Sequence, residues 1–531
     1  MQVTADAGAN GGDGGSITIN PNYPNGNINF DTVNAVSAKS SSLATANSKG
    51  GSVTIIANPE ISVNPSTPAI DINVNGKGTK DGGTITILAN GTLKIGSQAG
   101  ALNLSAKAAG TGNGGGVEIG YITNLTLSDT LSVVGGTGSG SNGDGGNINI
   151  HDSGTILIGA TIFDASGSGS GDAGTITVNA AVPVDLSNGA KFIALGGESG
   201  AGGKAILRSA KFGSNNQAIP LSTIFSLNAG ETASADAFNG SISLNLDADQ
   251  VPIICRNYKN VNTSWPKVYW YCGNDIANKG TLVLSTLQTM PNASISAMPS
   301  SEPFDVFVFH YKNDYSAFFA TFQTDNENGL AGWTSFANRQ IVILEVLTSG
   351  NVNLIMADST VKQVTMHEVG HVLDVQFGSV LGRSFVSQIG GTQQSSFNGF
   401  LSHDFRNLTF QGPSYTVLLP ACGAGAIFEG KSDPRTGGAI CPLSGDLTGL
   451  NNQQILQKIL PYFMTYDSAG PGTNWGETWS EQFGAFTLNV NSNPQTSYFL
   501  AYFPCTKIFV TSLANTGSAA PLGSYPTACI N

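Results

Sequence analysis

The sequence predicts a multidomain protein in which a parallel β-helix, an all-β solenoid, comes first and an α+β domain follows it. Two observations on the 531 residues support this division. A Gly-Gly-x-Ile-x-Ile phrase recurs through residues 1–210, and this part of the chain contains no cysteine. From residue 251 onward the phrase is absent, aromatic residues become frequent and all six cysteines occur. We therefore expect a repeat domain over 1–210, a connector with the last coils over 211–250, and a second domain over 251–531.

The repeated phrase has the alternation of a half-buried β-strand. It occurs as GGSITI, GGSVTI, GGTITI, GGGVEI and GGNINI, followed by the related AGTITV and GGKAIL, at intervals of about thirty residues. Alternation places one apolar column inside the solenoid and one polar column outside it. The inner column consists of Ile17, Val53, Ile85, Val117, Ile148 and Ile176, and the outer column of Thr18, Thr54, Thr86, Asn149 and Thr177. We expect the glycine-rich segments between strands to form turns that need positive φ.

A resemblance to a known family begins with this repeat. The pattern GxGDGGxIxI, followed by ILIGATIFDASG over Ile156–Gly167, resembles the filamentous-haemagglutinin type of secreted passenger. The resemblance covers residues 10–210 and implies a right-handed β-helix on a bacterial surface, with a cell-surface or host ligand as its partner. Calcium is not expected, because the calcium-binding nonapeptide needs Asp in a GGxGxD frame and GGDGG does not supply it.

Composition and charge restrict the partners and the location of the protein. A net charge of −12 argues against a nucleic-acid or anionic-membrane partner, since both attract Lys and Arg. The sequence contains no run of 18 apolar residues, so we expect no transmembrane helix. The N-terminal MQVTADAGANGG lacks the layout of a signal peptide and begins within a repeat, so we expect a fragment or a missing upstream export region.

The cysteines favour secretion or display at the cell surface. Their even number and their spacing predict disulfide bonds in an oxidising compartment. The alternatives are buried thiols or a second metal cluster, although no C-x-x-C is present. Pairing in sequence order would give Cys255–Cys272, Cys422–Cys441 and Cys505–Cys529.

The stretch Val361–Gly378, VKQVTMHEVGHVLDVQFG, predicts a helix over about 359–377 that has the spacing of a metal site. In a helix His367 and His371 lie one turn apart on the same face, where two imidazoles can bind one Zn²⁺. Glu368 lies beside them as a candidate general base. The small Gly370 is expected to leave room beside the metal. We expect the preceding run, Gln340–Leu344, to form a buried strand along the cleft that pairs with an extended substrate.

A catalytic zinc site normally takes a third protein ligand. The metzincin layout requires His at position 377 and Gly at position 374, but these positions hold Phe377 and Asp374, so that class is excluded. Asp374 is instead a candidate for orienting a ligand imidazole. His403 and His310 are possible third ligands.

Two carboxylates offer a better third ligand. Glu477 and Glu481 lie four residues apart in NWGETWSEQFGAF, where we expect a helix over about 476–487. The aromatic residues Trp475, Trp479 and Phe483 favour a cleft over an open surface. One carboxylate could bind the metal while the other orients a ligand histidine.

HEVGHVLD together with the distant ETWSEQF resembles the lethal-factor-like gluzincins, a family in which a second helix carries an ExxxExF pattern. The resemblance covers residues 335–490. It implies a zincin-like metallopeptidase fold in which Glu477 is the third zinc ligand and Glu481 orients a ligand. The family also has a catalytic tyrosine a few residues before its third ligand. This chain has none over Ser468–Gly476, so Tyr466 is the nearest candidate and Tyr462 the next.

Together these features predict a secreted or cell-surface zinc endopeptidase on a β-helical stalk. Zn²⁺ held by His367, His371 and Glu477 would activate water for the hydrolysis of protein or peptide substrates. The main alternative is a non-enzymatic adhesin whose second half is a binding head. A polysaccharide lyase or glycosidase would need clustered carboxylates or basic residues on one face of the β-helix, and the outer Thr and Asn columns offer none.

Overall fold

The computed structural model of the chain describes most of residues 2–380 and, beyond them, Ser480, Phe483, Gly484, Thr487, 504–517 and 522–530. Within 2–380 the residues outside the description are 9–10, 22–25, 27, 31–34, 42–46, 58–59, 64–69, 90–91, 95–101, 128–129, 137–141, 181–183, 187–188, 209, 212–220, 230–239, 245–252, 259–268, 273–278, 299–303, 320–330, 337–338 and 350–351. The chain divides into two compact units. The first is Met1–Lys259 with Val268–Cys272 and Asn313–Gln323, and the second is Asn260–Lys267, Gly273–Lys312 and Thr324–Asn531.

The first unit is a β-solenoid whose coils pair through three parallel ladders. Ladder A is an eight-stranded sheet made of Gln2–Thr4, Ala35–Ser37, Ile70–Asn73, Leu102–Ser105, Thr130–Ser132, Ile162–Asp164, Lys191–Ile193 and Phe225–Ser226. Ladder B contains Ser16–Ile19, Ser52–Ala57, Thr84–Ala89, the first parts of Gly116–Leu127 and Asn147–Ile158, Thr175–Ala180, Lys204–Leu207 and Ser241–Ser243. Ladder C contains Ile28–Phe30, Glu60–Val63, Thr92–Lys94, the later parts of the same two long strands, Val184–Asp185 and Ala210–Lys211. The prediction of a parallel β-helix is confirmed, while its right-handedness stays a prediction.

The inner columns of the ladders form the core of the solenoid. In ladder B the predicted apolar residues pair in register from coil to coil and are buried: Ile17, Val53, Ile85, Val117, Ile148 and Ile176. In ladder A the corresponding column ends in three phenylalanines, where the rings of Phe163 and Phe192 lie 4.7 Å apart and those of Phe192 and Phe225 lie 5.1 Å apart. Each coil covers the apolar side chains of the next coil and removes them from water. A single coil could not bury its own apolar side chains.

The glycine pairs of the repeat are explained by how closely the coils approach one another. A Cβ placed on Gly83 would lie 1.9 Å from the carbonyl oxygen of Gly51, and one on Gly115 would lie 1.9 Å from that of Gly83. The glycine-rich segments are expected to need positive φ. Turn glycines such as Gly78 and Gly110 do adopt positive φ, but Gly83 and Gly115 do not. Any side chain at the second glycine would therefore push neighbouring coils apart.

In four successive coils, the residue before the Gly-Gly phrase or its Ala-Gly variant contributes to a ladder of side-chain hydrogen bonds. The Oδ1 atom of Asp81 accepts a hydrogen bond from the backbone N–H of Asn113 at 2.9 Å, and Oδ1 of Asn113 accepts one from Asp144 at 2.8 Å. Asp144 and Asp172 continue the series to the next coils. The Asp of the GDGG phrase thus satisfies a backbone donor at the turn.

The solenoid coils are followed by an antiparallel hairpin. Residues 211–250, predicted as a connector with the last coils, contribute the short helix Leu221–Ile224 and two ladder strands. The strand Ile254–Tyr258 pairs antiparallel with Ser241–Ser243 on one side and with Tyr269–Cys272 on the other. The predicted Cys255–Cys272 disulfide joins the two hairpin strands, and all of Tyr269–Cys272 is buried.

The second unit contains a mixed sheet. Asp305–Phe309 pairs parallel with Gln340–Leu344, which pairs antiparallel with Gly332–Ser335. All five residues of each of the first two strands are buried, as their continuous apolar character predicts. The proposed cleft role of Gln340–Leu344 is wrong, because neighbours already occupy both of its edges.

The helices Lys279–Leu287 and Asp358–Val380 pack on this sheet. The helices of the described residues beyond the solenoid coils are Lys279–Leu287, Asn292–Ala297, Lys312–Phe319, Asp358–Val380, Pro504–Thr516 and Thr527–Ile530, with a short 3₁₀ turn at Leu522–Ser524 and a hairpin of Val346–Ser349 with Val352–Ile355. The predicted Cys505–Cys529 disulfide is present, whereas Cys422 and Cys441 lie outside the described residues. None of the described helices is both long enough and apolar enough to cross a membrane. The zincin-like fold of the whole unit stays a prediction, as does a domain boundary near residue 250.

Candidate metal centre

The candidate centre lies on the helix Asp358–Val380, which the sequence predicts over about 359–377. Asp358 occupies the first turn, where a negative charge is favourable, and it forms an ion pair with the Lys279 ammonium group. The helix packs on the sheet and on the helix Lys279–Leu287. Its buried apolar side chains are Val361, Met366, Val369, Val372 and Leu373. The helix that carries HEVGH is therefore held by burial from Val361 to Leu373 and not only at the motif.

The two motif histidines point at each other. The Nε2 atoms of His367 and His371 lie 3.1 Å apart, and the two rings are nearly perpendicular at 83°. His367 is buried and His371 is half-buried. Two nitrogens that each bind a tetrahedral Zn²⁺ at about 2.0–2.1 Å are separated by about 3.3 Å. The separation in this protein is close to that value, so the pair fits two positions of one zinc site.

Glu368 is held between the helix and the strand Gly332–Ser335. This residue is only 6% exposed, and its Oε2 lies 2.9 Å from the hydroxyl of Thr334. The same hydroxyl lies 2.9 Å from the backbone oxygen of Glu368. Gly332 allows the close approach, because a Cβ there would lie 2.7 Å from Cγ1 of Val364. Glu368 is predicted from the HEVGH spacing, whereas Thr334 and Gly332 have no sequence pattern that links them to the motif.

Ser480 and Gly484, two described residues of the second predicted helix, lie directly against the HEVGH helix. A Cβ on Gly370 would lie 2.7 Å from the Cα of Ser480, so Ser480 occupies the space that was expected to be left for a metal. Gly484 approaches the same helix, since its Cβ would lie 3.4 Å from the backbone nitrogen of His367. The described residues Ser480, Phe483, Gly484 and Thr487 are helical, as the prediction of a helix over about 476–487 requires.

His310 lies at the other end of the sheet from the motif. Its Nδ1 lies 2.9 Å from Oε2 of Glu345, and both side chains are buried. Glu345 follows the last residue of its strand, whereas Thr334, beside Glu368, pairs with Ile341 near the start of that strand. Four residues of a strand span about 13 Å. His310 is thus poorly placed to share a metal with the motif histidines.

The remaining candidate residues lie outside the described part of the chain. They are Glu477, Glu481, Tyr466, Tyr462 and His403, together with the side chain of Asp374. Among the residues that are described, no group of three or more His, Cys, Asp or Glu side chains could hold a metal ion. The third ligand and the catalytic tyrosine therefore stay predictions.

Replacing Gly370 with Ala should disturb the centre more than replacing Gly484 with Ala. The new methyl group at position 370 would meet the backbone of Ser480, and overpacking of this kind typically costs about 1–3 kcal/mol. We expect a lower free energy of unfolding and weaker zinc binding for Gly370→Ala, because Ser480, which lies between Glu477 and Glu481 in the sequence, must move away from the helix. Gly484→Ala is the matched control, since its Cβ has ordinary contacts and Ala favours a helix. Thermal unfolding and zinc titration measure both effects, and equal behaviour of the two variants would contradict the contact.

Comparison with known proteins adds no assignment. No family model matches the chain, and neither a curated protein nor a solved structure matches it. The resemblance of residues 335–490 to lethal-factor-like gluzincins therefore stays a prediction.

Proposed function

We propose that the second unit is a zinc-dependent endopeptidase that hydrolyses protein or peptide substrates and is displayed on the β-solenoid. The convergence of the His367 and His371 Nε2 atoms to 3.1 Å carries the proposal. A separation of 3.1 Å suits a hydrogen bond between the two rings, and it is also close to the spacing of two nitrogen ligands on one zinc ion. Glu368, one residue away and nearly buried, adds the carboxylate that hydrolysis requires.

The proposed centre would bind Zn²⁺ through His367, His371 and a carboxylate from the segment around Ser480. Glu477 is the first choice, since the resemblance to the gluzincins assigns it, and Glu481 would orient a ligand. The packing of Ser480 on Gly370 supports this choice, because Ser480 lies between the two glutamates in sequence. Bound zinc would supply Lewis-acid polarisation and lower the pKa of a water molecule to about 7.

The chain's own residues would move the protons. Oε2 of Glu368 is next to the Thr334 hydroxyl, so we assign to Oε1 the acceptance of the proton from water and its later delivery to the leaving amine. Burial of this carboxylate keeps competing water away from the transfer. We assign to the Tyr466 hydroxyl a hydrogen bond to the developing oxyanion, as the gluzincin resemblance implies.

An extracellular location suits this proposal. The Cys255–Cys272 and Cys505–Cys529 disulfides are compatible with an oxidising environment. We therefore propose secretion or display at the cell surface, with a cell-surface or host ligand for the solenoid. The net charge of −12 makes nucleic acid a poor partner.

The zinc content of the purified chain tests the proposal. We expect one zinc per chain, removal by a chelator, and cleavage of a mixture of denatured proteins that stops with the chelator and returns with added Zn²⁺. His367→Ala should lower the zinc content, and His310→Ala should not, because His310 belongs to the pair with Glu345. A chain that binds no zinc would favour the non-enzymatic adhesin instead.

A further inference from the structure

We propose that Thr334 is a positioning residue for Glu368, holding the carboxylate of the general base in one orientation. This inference rests on the proposed function. The Thr334 hydroxyl lies 2.9 Å from Oε2 of Glu368, although the two residues are 34 positions apart in the sequence. The contact joins the strand Gly332–Ser335 to the HEVGH helix at the residue on which the chemistry depends.

The strand is built for this contact. Side chains two residues apart on a strand share a face, so Gly332 and Thr334 both face the helix. Gly332 has no Cβ, and one placed there would lie 2.7 Å from Val364 Cγ1 and 3.4 Å from Glu368 Cγ. Because Gly332 has no side chain, the helix can approach the strand closely. This close approach brings Glu368 within hydrogen-bond distance of the Thr334 hydroxyl.

The chemistry of the hydroxyl decides its partner. A threonine hydroxyl donates one hydrogen, and two acceptors of Glu368 lie at the same 2.9 Å, the backbone oxygen and Oε2. A hydrogen bond to an ionised carboxylate is roughly twice as strong as one between neutral groups. Thr334 therefore donates to Oε2. Anchoring one oxygen restricts the rotamers of a long side chain and so fixes the position of the other oxygen.

Two substitutions separate this role from simple packing. Thr334→Val keeps the shape of the side chain and removes the donor, whereas Thr334→Ser keeps the donor. Crystal structures of the full chain should show Glu368 in its original conformation with Ser and displaced or in several conformations with Val. For cleavage of a fluorescent casein, kcat should fall at least about 10-fold in the Val variant, with KM and zinc content little changed, and Ser should restore the rate. If Val does not fold, Thr334→Ala takes its place.

A double-mutant cycle excludes a structural effect. In a Glu368→Gln background Thr334→Val should lower the residual rate by less than about twofold, because positioning a base has no value once the base is absent. An unmoved Glu368 carboxylate in the Val variant would overturn the inference, whatever the activity. A wild-type chain without zinc or peptidase activity would instead remove the proposed function, and the crystallographic comparison would still decide the role of Thr334.

Discussion

Glu368→Gln should lower peptidase turnover by about 10²-fold or more while zinc stays bound. The amide has nearly the size of the carboxylate and can still accept a hydrogen bond from Thr334, so the structure around it should persist. It cannot take a proton from water, and loss of general-base help typically costs roughly 10²–10⁴ in rate. The measurement is kcat on a peptide cleaved by the wild type, together with zinc content per chain.

Glu118→Gln provides the matched control for this result. It makes the same chemical change on an exposed face of the solenoid, where a carboxylate oxygen of Glu118 lies 3.6 Å from Nε2 of His151. This variant should keep full activity, since exposed ion pairs contribute little. Undiminished hydrolysis by Glu368→Gln would remove Glu368 from the mechanism.

Glu477→Ala should be nearly free of zinc at a zinc concentration where Glu481→Ala still binds the metal. A ligand contributes its charge directly to Zn²⁺, whereas loss of a residue that orients a ligand typically costs about 10–100-fold in affinity. Both residues flank Ser480, which lies against Gly370 on the HEVGH helix. Zinc stoichiometry after dialysis against a weak chelator gives the order.

Each other outcome of that experiment has a definite meaning. The opposite order would move the third ligand to Glu481. Full zinc in both variants would remove the gluzincin assignment and point to His403, because His310 is already committed to Glu345. Both glutamates lie outside the helix Asp358–Val380 in the sequence. Both variants should therefore keep the close approach of the His367 and His371 Nε2 atoms.

Features that depend on local periodicity could be predicted from the sequence. Alternation over a few residues identified the inner column of ladder B, and the structure places Ile85 and Val117 opposite each other as expected. The HEVGH helix and the disulfides Cys255–Cys272 and Cys505–Cys529 followed from spacing. In each case the residues that determine the structure are neighbours in sequence or in a repeat.

Features that depend on packing between distant segments could not be predicted. The second glycine of each pair is required by the carbonyl oxygen of the previous coil, and sequence alone suggested a turn instead. Thr334 meets Glu368, and Ser480 meets Gly370, only because a strand and a helix are brought against the HEVGH helix. A short strand with Gly and Thr two residues apart has no spacing that would link it to a metal motif.

The hairpin after the last coil has a consequence for how the repeat can change in evolution. A parallel ladder is a template, since its last strand offers N–H and C=O groups to whatever strand comes next. The strand Ile254–Tyr258 pairs antiparallel with Ser241–Ser243 and uses the free edge of that strand. The Cys255–Cys272 disulfide links Ile254–Tyr258 to the other strand of the hairpin. Duplication or loss of whole coils must then fall upstream of the hairpin. The number of coils can then differ between related chains while the hairpin keeps its pairing with the last coil.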